Sequence, residues 1–233
     1  MNRINILCQF RSGSTIICEY LSYCLGFRYY DELFHQNAVI YGHGPHGEEI
    51  KKTGEKKYYN SLLNEERYVL KTIAKQIDQH PTLSFDYLFD LLYEKTDCWV
   101  ILRRRDVLQQ LLSFYCVVLI KKYHHRSDDV LDFKEKKIII TEEKFHSFMF
   151  DLSLLDKIEK IFHERGKEVI NIYYEDVFSS NNPLSKISDI FKVEDRSKEY
   201  EKVDDRCRKI GIEYEKYVEN IDEIKNLFKR HGY

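Results

Sequence analysis

Proline is scarce, with three in 233 residues, and so is glycine, with nine. Chain breaks must therefore be read from glycine and charge. No apolar run approaches the roughly 18 residues of a membrane span, which excludes a transmembrane helix. The apolar stretch Ile4 to Phe10 is too short for a secretory signal and runs into Arg11. Excess charge of either sign is also missing: 37 basic residues stand against 39 acidic ones. That excludes a nucleic-acid binder working by bulk charge, so any anion site must be local. No C-x-x-C occurs among the six cysteines, and most lie in apolar runs. This reads as reduced, buried thiols in a cytoplasmic protein, with no disulfide framework and no zinc spacing. The pairs His43/His46 and His124/His125 read as solvated loop.

What is present is globular: 43% apolar and 33% charged residues, enough to bury a core in one domain over 1–233. Four apolar runs read as buried strands: 4–10, 68–74, 97–103 and 168–174. Between them, helical spacing runs over 16–25, 83–95, the stretch after Asp106, and 151–165. Strands alternating with helices, without polar alternation along the strands, predict a three-layer α/β fold. Its central parallel sheet is flanked by helices. Polar insertions fall at about 36–66 and 121–145; both read as long exposed loops, the first with at most one helical turn.

The opening is strand, R-S-G-S-T, helix. Such a loop offers backbone N–H groups and a helix N-terminus to an anion. Gly13 permits close approach. Ser12, Ser14 and Thr15 bring hydroxyls, and Arg11 a permanent charge. The nucleotide-triphosphatase pattern G-x-x-x-x-G-K-[ST] is broken twice, by Cys8 at the first glycine and Ser14 at the lysine. A plain capped strand–turn–helix stays open on this loop alone.

A second basic element, Arg103-Arg104-Arg105-Asp106, ends the third strand. Three consecutive arginines cannot share a face. Arg103, which closes the apolar run, is the one expected in the ligand crevice. Asp106 suits a helix cap, and Ser113 lies two turns on.

These elements together resemble the PAPS-dependent sulfotransferases (PAPS is 3′-phosphoadenosine 5′-phosphosulfate), most nearly the bacterial branch of trehalose and nodulation-factor enzymes. R-S-G-S-T resembles the family's 5′-phosphosulfate loop. L-R-R-R-D-V-L-Q-Q-L-L-S-F, from Leu102 to Phe114, resembles its 3′-phosphate segment. Ile172 to Asp176 resembles a late Y-E-D. The resemblance implies a P-loop-like fold. It further implies that Ser12 to Ile16, that is Ser12, Gly13, Ser14, Thr15 and Ile16, with Arg11, hold the 5′-phosphosulfate, while Arg103 and Ser113 hold the 3′-phosphate. Arg104 or Arg105 remains open in place of Arg103. Glu32 falls where the branch places its general base, with Asp31 and His35 as competitors. Lys71, a lysine inside an apolar strand, would act with Arg11 on the bridging oxygen, or else snorkel to solvent. The implied reaction moves a sulfuryl group from PAPS to a hydroxyl of a carbohydrate or small metabolite, without a metal. Tyr29, Tyr30, Phe34 and Tyr41 are candidates to stack on a sugar. The alternatives are a P-loop kinase or nucleotide hydrolase, and a catalytically inactive nucleotide-binding protein. Neither the acceptor nor the oligomeric state is legible.

Overall fold

The computed structural model describes residues 2–35, 44–120, 137–202 and 213–233. Five strands form one parallel sheet in the order β2-β3-β1-β4-β5: β1 Arg3–Cys8, β2 Arg28–Tyr30, β3 Tyr68–Ile73, β4 Cys98–Arg103 and β5 Val169–Tyr173. Every pairing is parallel, as crossover helices require. β1 is the central strand, and its side chains alternate between two cores. Ile4, Ile6 and Cys8 face one, and Leu7 faces the other.

On the Ile4 face lies α1, Ser14–Leu25, with α8 Tyr174–Phe178, α9 Pro183–Phe191 and α10 Ser197–Tyr200. On the Leu7 face lie α2 Gly44–Thr53, α3 Glu55–Leu63, α4 Ala74–Asp78, α5 Phe85–Lys95 and much of α7, Glu142–Glu164. Trp99 is 1% exposed there, with its ring centroid 4.6 Å from that of Phe162. A third apolar cluster joins α6, Val107–Ile120, to the start of α7 and to α11, Ile221–Arg230. The three-layer parallel α/β expectation is what the structure shows. Among the described residues no helix is long and apolar enough to cross a membrane.

Three expectations are corrected. The segment 44–63 is not loop but two helices, because Tyr58, Tyr59 and Leu63 give α3 a buried face. The sheet also has a fifth strand, Arg28–Tyr30, three residues long and too short to make an apolar run. α7 is longer than 151–165, starting at a Thr141 cap whose side chain accepts from Lys144 N. Gly26 ends α1 in the left-handed conformation. Residues 36–43 and 121–136, within the two polar insertions, lie outside the described residues, as do Tyr41, His43 and the His124/His125 pair.

Candidate functional site

The carboxyl ends of β1, β2, β3 and β4 meet around the loop 9–13. This is the edge where open parallel sheets bind ligands. Two of the loop's residues have positive φ, Arg11 at 62° and Gly13 at 81°. Gly13 is needed for space as well. A Cβ there would lie 2.8 Å from Phe178 and 2.9 Å from Tyr174, whose stacked rings back the loop at 4.5 Å centroid separation. After Gly13 comes the N-terminus of α1, with no side-chain cap on its first amides. Those amides therefore point outward with the helix dipole's positive end. Ser12 and Ser14 are buried, and Thr15 is half-buried.

Lys71 joins the loop to the candidate base. It sits on β3, and its side chain is 2% exposed. Its ammonium donates to Thr15 Oγ1 at 3.0 Å and pairs with Glu32 Oε1 at 2.9 Å and with Asp31. Burial acts to lower its pKa, but the charges of Glu32 and Asp31 outweigh burial, so the group is held above the ordinary lysine value. Lys71 therefore does not snorkel; it is the buried cation of the site.

Glu32 follows β2 immediately and adopts a φ of 38°, a left-handed conformation rare for glutamate. Its second oxygen, Oε2, accepts from Gln76 Nε2 at 3.0 Å. Asp31 also accepts from the Tyr29 hydroxyl at 2.9 Å. His35 N donates to the Glu32 carbonyl at 3.0 Å, closing a turn. Of the residues considered for sugar stacking, Tyr30 is 2% exposed and Phe34 is fully buried. Both belong to the core because each packs against a neighbouring tyrosine.

The three arginines part as their spacing requires. Arg103 turns toward α7, where it pairs with Asp156 at 2.8 Å and Glu159 at 2.7 Å. Arg105 pairs with Asp176 at the surface. Arg104 turns toward the loop. Its Nη1 reaches the Arg11 carbonyl at 3.5 Å, and its guanidinium lies 4.6 Å from the Tyr174 ring centroid. Its buried Nε makes no hydrogen bond among the described residues, and Glu175 is 3.8 Å away. Ser113 is buried and accepts from Arg11 Nε at 3.0 Å. Ser113 thus contacts Arg11, with Arg104 beside it, while Arg103 faces α7. Asp106 does cap α6, accepting from Gln109 N at 2.9 Å. Glu175, from the Y-E-D segment, accepts from the amides of Arg105 and Asp106.

Gln9 and Asp151 carry no motif in the sequence, whereas Gln110 falls inside the quoted L-R-R-R-D-V-L-Q-Q-L-L-S-F segment. Gln110 Nε2 holds the Phe10 carbonyl at 2.8 Å. Gln9 Nε2 donates to the Asp151 carbonyl, and Asp151 Oδ2 pairs with Lys75 at 2.8 Å. Beyond Arg104, a cleft of about 320 Å³ opens among Arg103, Gln110, Asp156, Glu159 and Tyr173. Two arginines, Arg103 and Arg104, and two acids line it, so it presents both signs of charge. Among the described residues, no group of three or more His, Cys, Asp or Glu converges as metal ligands would.

No protein-family model matches the chain, and no curated protein matches it in sequence. Among solved structures it is similar to two shikimate kinases. One, from Acinetobacter baumannii in complex with shikimate, is 17% identical over 82% of this chain and 90% of that one, with a TM-score of 0.46. The other, from Bacteroides thetaiotaomicron, is 12% identical over 87% of this chain and 97% of that one, with a TM-score of 0.43.

Proposed function

We propose that the protein is a transferase that moves a sulfuryl group from PAPS to a hydroxyl of a small acceptor. The observation that carries this is the lysine bridge: Lys71 touches both Thr15 in the anion loop and the Glu32 carboxylate. A donor held by the amides of Ser12 to Ile16 would place its bridging oxygen near Lys71 and Arg11. Those cations neutralise charge as the 5′-phosphate leaves. Glu32, within reach of the same centre, takes the acceptor's proton as its oxygen attacks sulfur. The sulfur–phosphate oxygen bond breaks, and the electron pair leaves on the 5′-phosphate. Asp31 pairs with the same ammonium as Glu32 and is the more exposed of the two, so it stays the competing base. The 3′-phosphate is assigned to Arg104 with Ser113, since Arg103 is already neutralised by Asp156 and Glu159.

A second reading, phosphoryl transfer from ATP, has one observation in its favour. Lys71 delivers to Thr15 a lysine that the loop lacks at Ser14. Calorimetric titration separates the two. The sulfuryl reading expects micromolar binding of 3′-phosphoadenosine 5′-phosphate and weak binding of ATP with Mg²⁺. The reverse order favours the kinase. Silence from both nucleotides contradicts each reading.

A further inference from the structure

Two carboxylates share one lysine, and one of them has a second anchor. Lys71 Nζ meets Glu32 at Oε1, 2.9 Å away, and Gln76 Nε2 donates to Oε2 at 3.0 Å. Both donors come from one unit: Lys71 from β3, and Gln76 from α4, which follows β3 without a loop. Ala74 and Ile77 of α4 are buried in the Leu7-face core, which anchors the helix. The described partners of Asp31, Lys71 and the Tyr29 hydroxyl, both meet Oδ1. The plane of the Glu32 carboxylate is thus fixed at both oxygens, and that of Asp31 at one.

Gln76 is 5% exposed, and its amide oxygen is buried without a hydrogen bond among the described residues. Flipping the amide would set that oxygen against the Glu32 carboxylate, so the nitrogen is the atom that faces the acid. An unpaired buried acceptor costs stability, and an apolar side chain of the same length would avoid the cost. What glutamine supplies there is the amide donor. Glu32 itself adopts a φ of 38°. A glutamate in that left-handed region persists only where its surroundings hold it.

We propose that Gln76 is a positioning residue that makes Glu32, and not Asp31, the base. The proposal rests on the transferase reading and names the residue that orients its base. An ionised carboxylate offers about four acceptor positions on its two oxygens. Lys71 and Gln76 occupy one on each oxygen, which leaves one on each to take a proton. Held from both sides, the carboxylate does not rotate, so those remaining positions keep a constant direction relative to the loop. Constant direction matters because a misplaced reacting group loses rate even when binding is kept. Gln76 acts only through Glu32 and touches neither PAPS nor the acceptor.

The test is a double-mutant cycle on PAPS turnover, with glycerol as the hydroxyl source, in wild type, Gln76→Met, Glu32→Gln and the double variant. Gln76→Met should lower kcat about 10-fold or more, with KM for PAPS unchanged and no fall in melting temperature. In the Glu32→Gln background the same substitution should have no further effect, because the carboxylate it positions is gone. A wild-type kcat in Gln76→Met, or an equal loss in both backgrounds, overturns the proposal and leaves the transferase reading standing. So does a kcat loss matched by a lower melting temperature, which marks a structural role. An active Glu32→Gln beside an inactive Asp31→Asn makes Asp31 the base and overturns the proposal as well. No turnover by wild type sinks the transferase reading, and the proposal with it. Should Gln76→Met not fold, Gln76→Asn, which keeps an amide but shortens its reach, takes its place in the cycle.

Discussion

Arg103, Arg104 and Arg105 carry the same charge and have three different fates. Only Arg104 turns to the loop, and its Nε has no hydrogen bond among the described residues. Arg104→Ala is therefore expected to weaken binding of 3′-phosphoadenosine 5′-phosphate by about 2–4 kcal/mol, the scale of a lost charge-assisted phosphate contact. Arg103→Ala should cost less binding and instead loosen α7, which calorimetry paired with thermal melting would separate. Equal binding losses in both variants would return the 3′-phosphate to Arg103. Gly13 is the other decisive residue. Gly13→Ala meets both a left-handed φ and the Tyr174/Phe178 wall. It should destabilise the fold by about 2–4 kcal/mol and abolish nucleotide binding in the fraction that folds. A variant with wild-type melting and affinity would show that the wall yields easily. In the sequence, Gly13 was legible as a point of close approach. The reason it must be glycine was not, since that lies far along the chain, at Tyr174 and Phe178 in α8.

At the scale of elements, strands β1, β3, β4 and β5 were legible because each is a bounded apolar run. β2 was not, although it delivers Asp31 and Glu32. Three residues, Arg28–Tyr30, cannot display periodicity, and only pairing with β3 defines them as strand. The helices α2 and α3 were hidden by charge: their mean composition is polar, and a single face of α3 is buried. Docking of α9 and α10 onto α1 runs through Asp195. It accepts from Ser185 Oγ, from Ser197 N and from the Tyr20 hydroxyl. The Ser185 hydrogen bond leads in lowering its pKa to about 2. A lowered carboxylate stabilises the fold fully above its ordinary value near 3.8, and that contribution is lost as pH falls toward 2. Asp195→Asn should cost about 1 kcal/mol at pH 7, a figure already reduced for solvent exposure, and the gap from wild type should close near pH 2. A gap that stays constant from pH 7 to pH 2 would rule out the ionised form as the source.

Taken whole, the molecule sets its candidate chemistry across the carboxyl edge of one parallel sheet. β2 and β3 bring the carboxylates and the lysine, β1 brings the anion loop, and β4 brings the arginine. This layout was legible in outline because loop, arginine run and late Y-E-D resemble, in that order, segments of the PAPS-dependent sulfotransferases. The polar amides Gln9 and Gln76 were illegible, since they acquire meaning only from the acceptors that pin their nitrogens. Glu32 is proposed as a base working on a donor held by the loop. That role is tested most directly by measuring release of 3′-phosphoadenosine 5′-phosphate from PAPS in the presence of a polyol, for wild type and Glu32→Gln. The account predicts release by wild type that survives EDTA. The variant should lose it by about 100-fold or more with its nucleotide affinity kept. A Glu32→Gln variant as active as wild type, or transfer from ATP in place of PAPS, would contradict it.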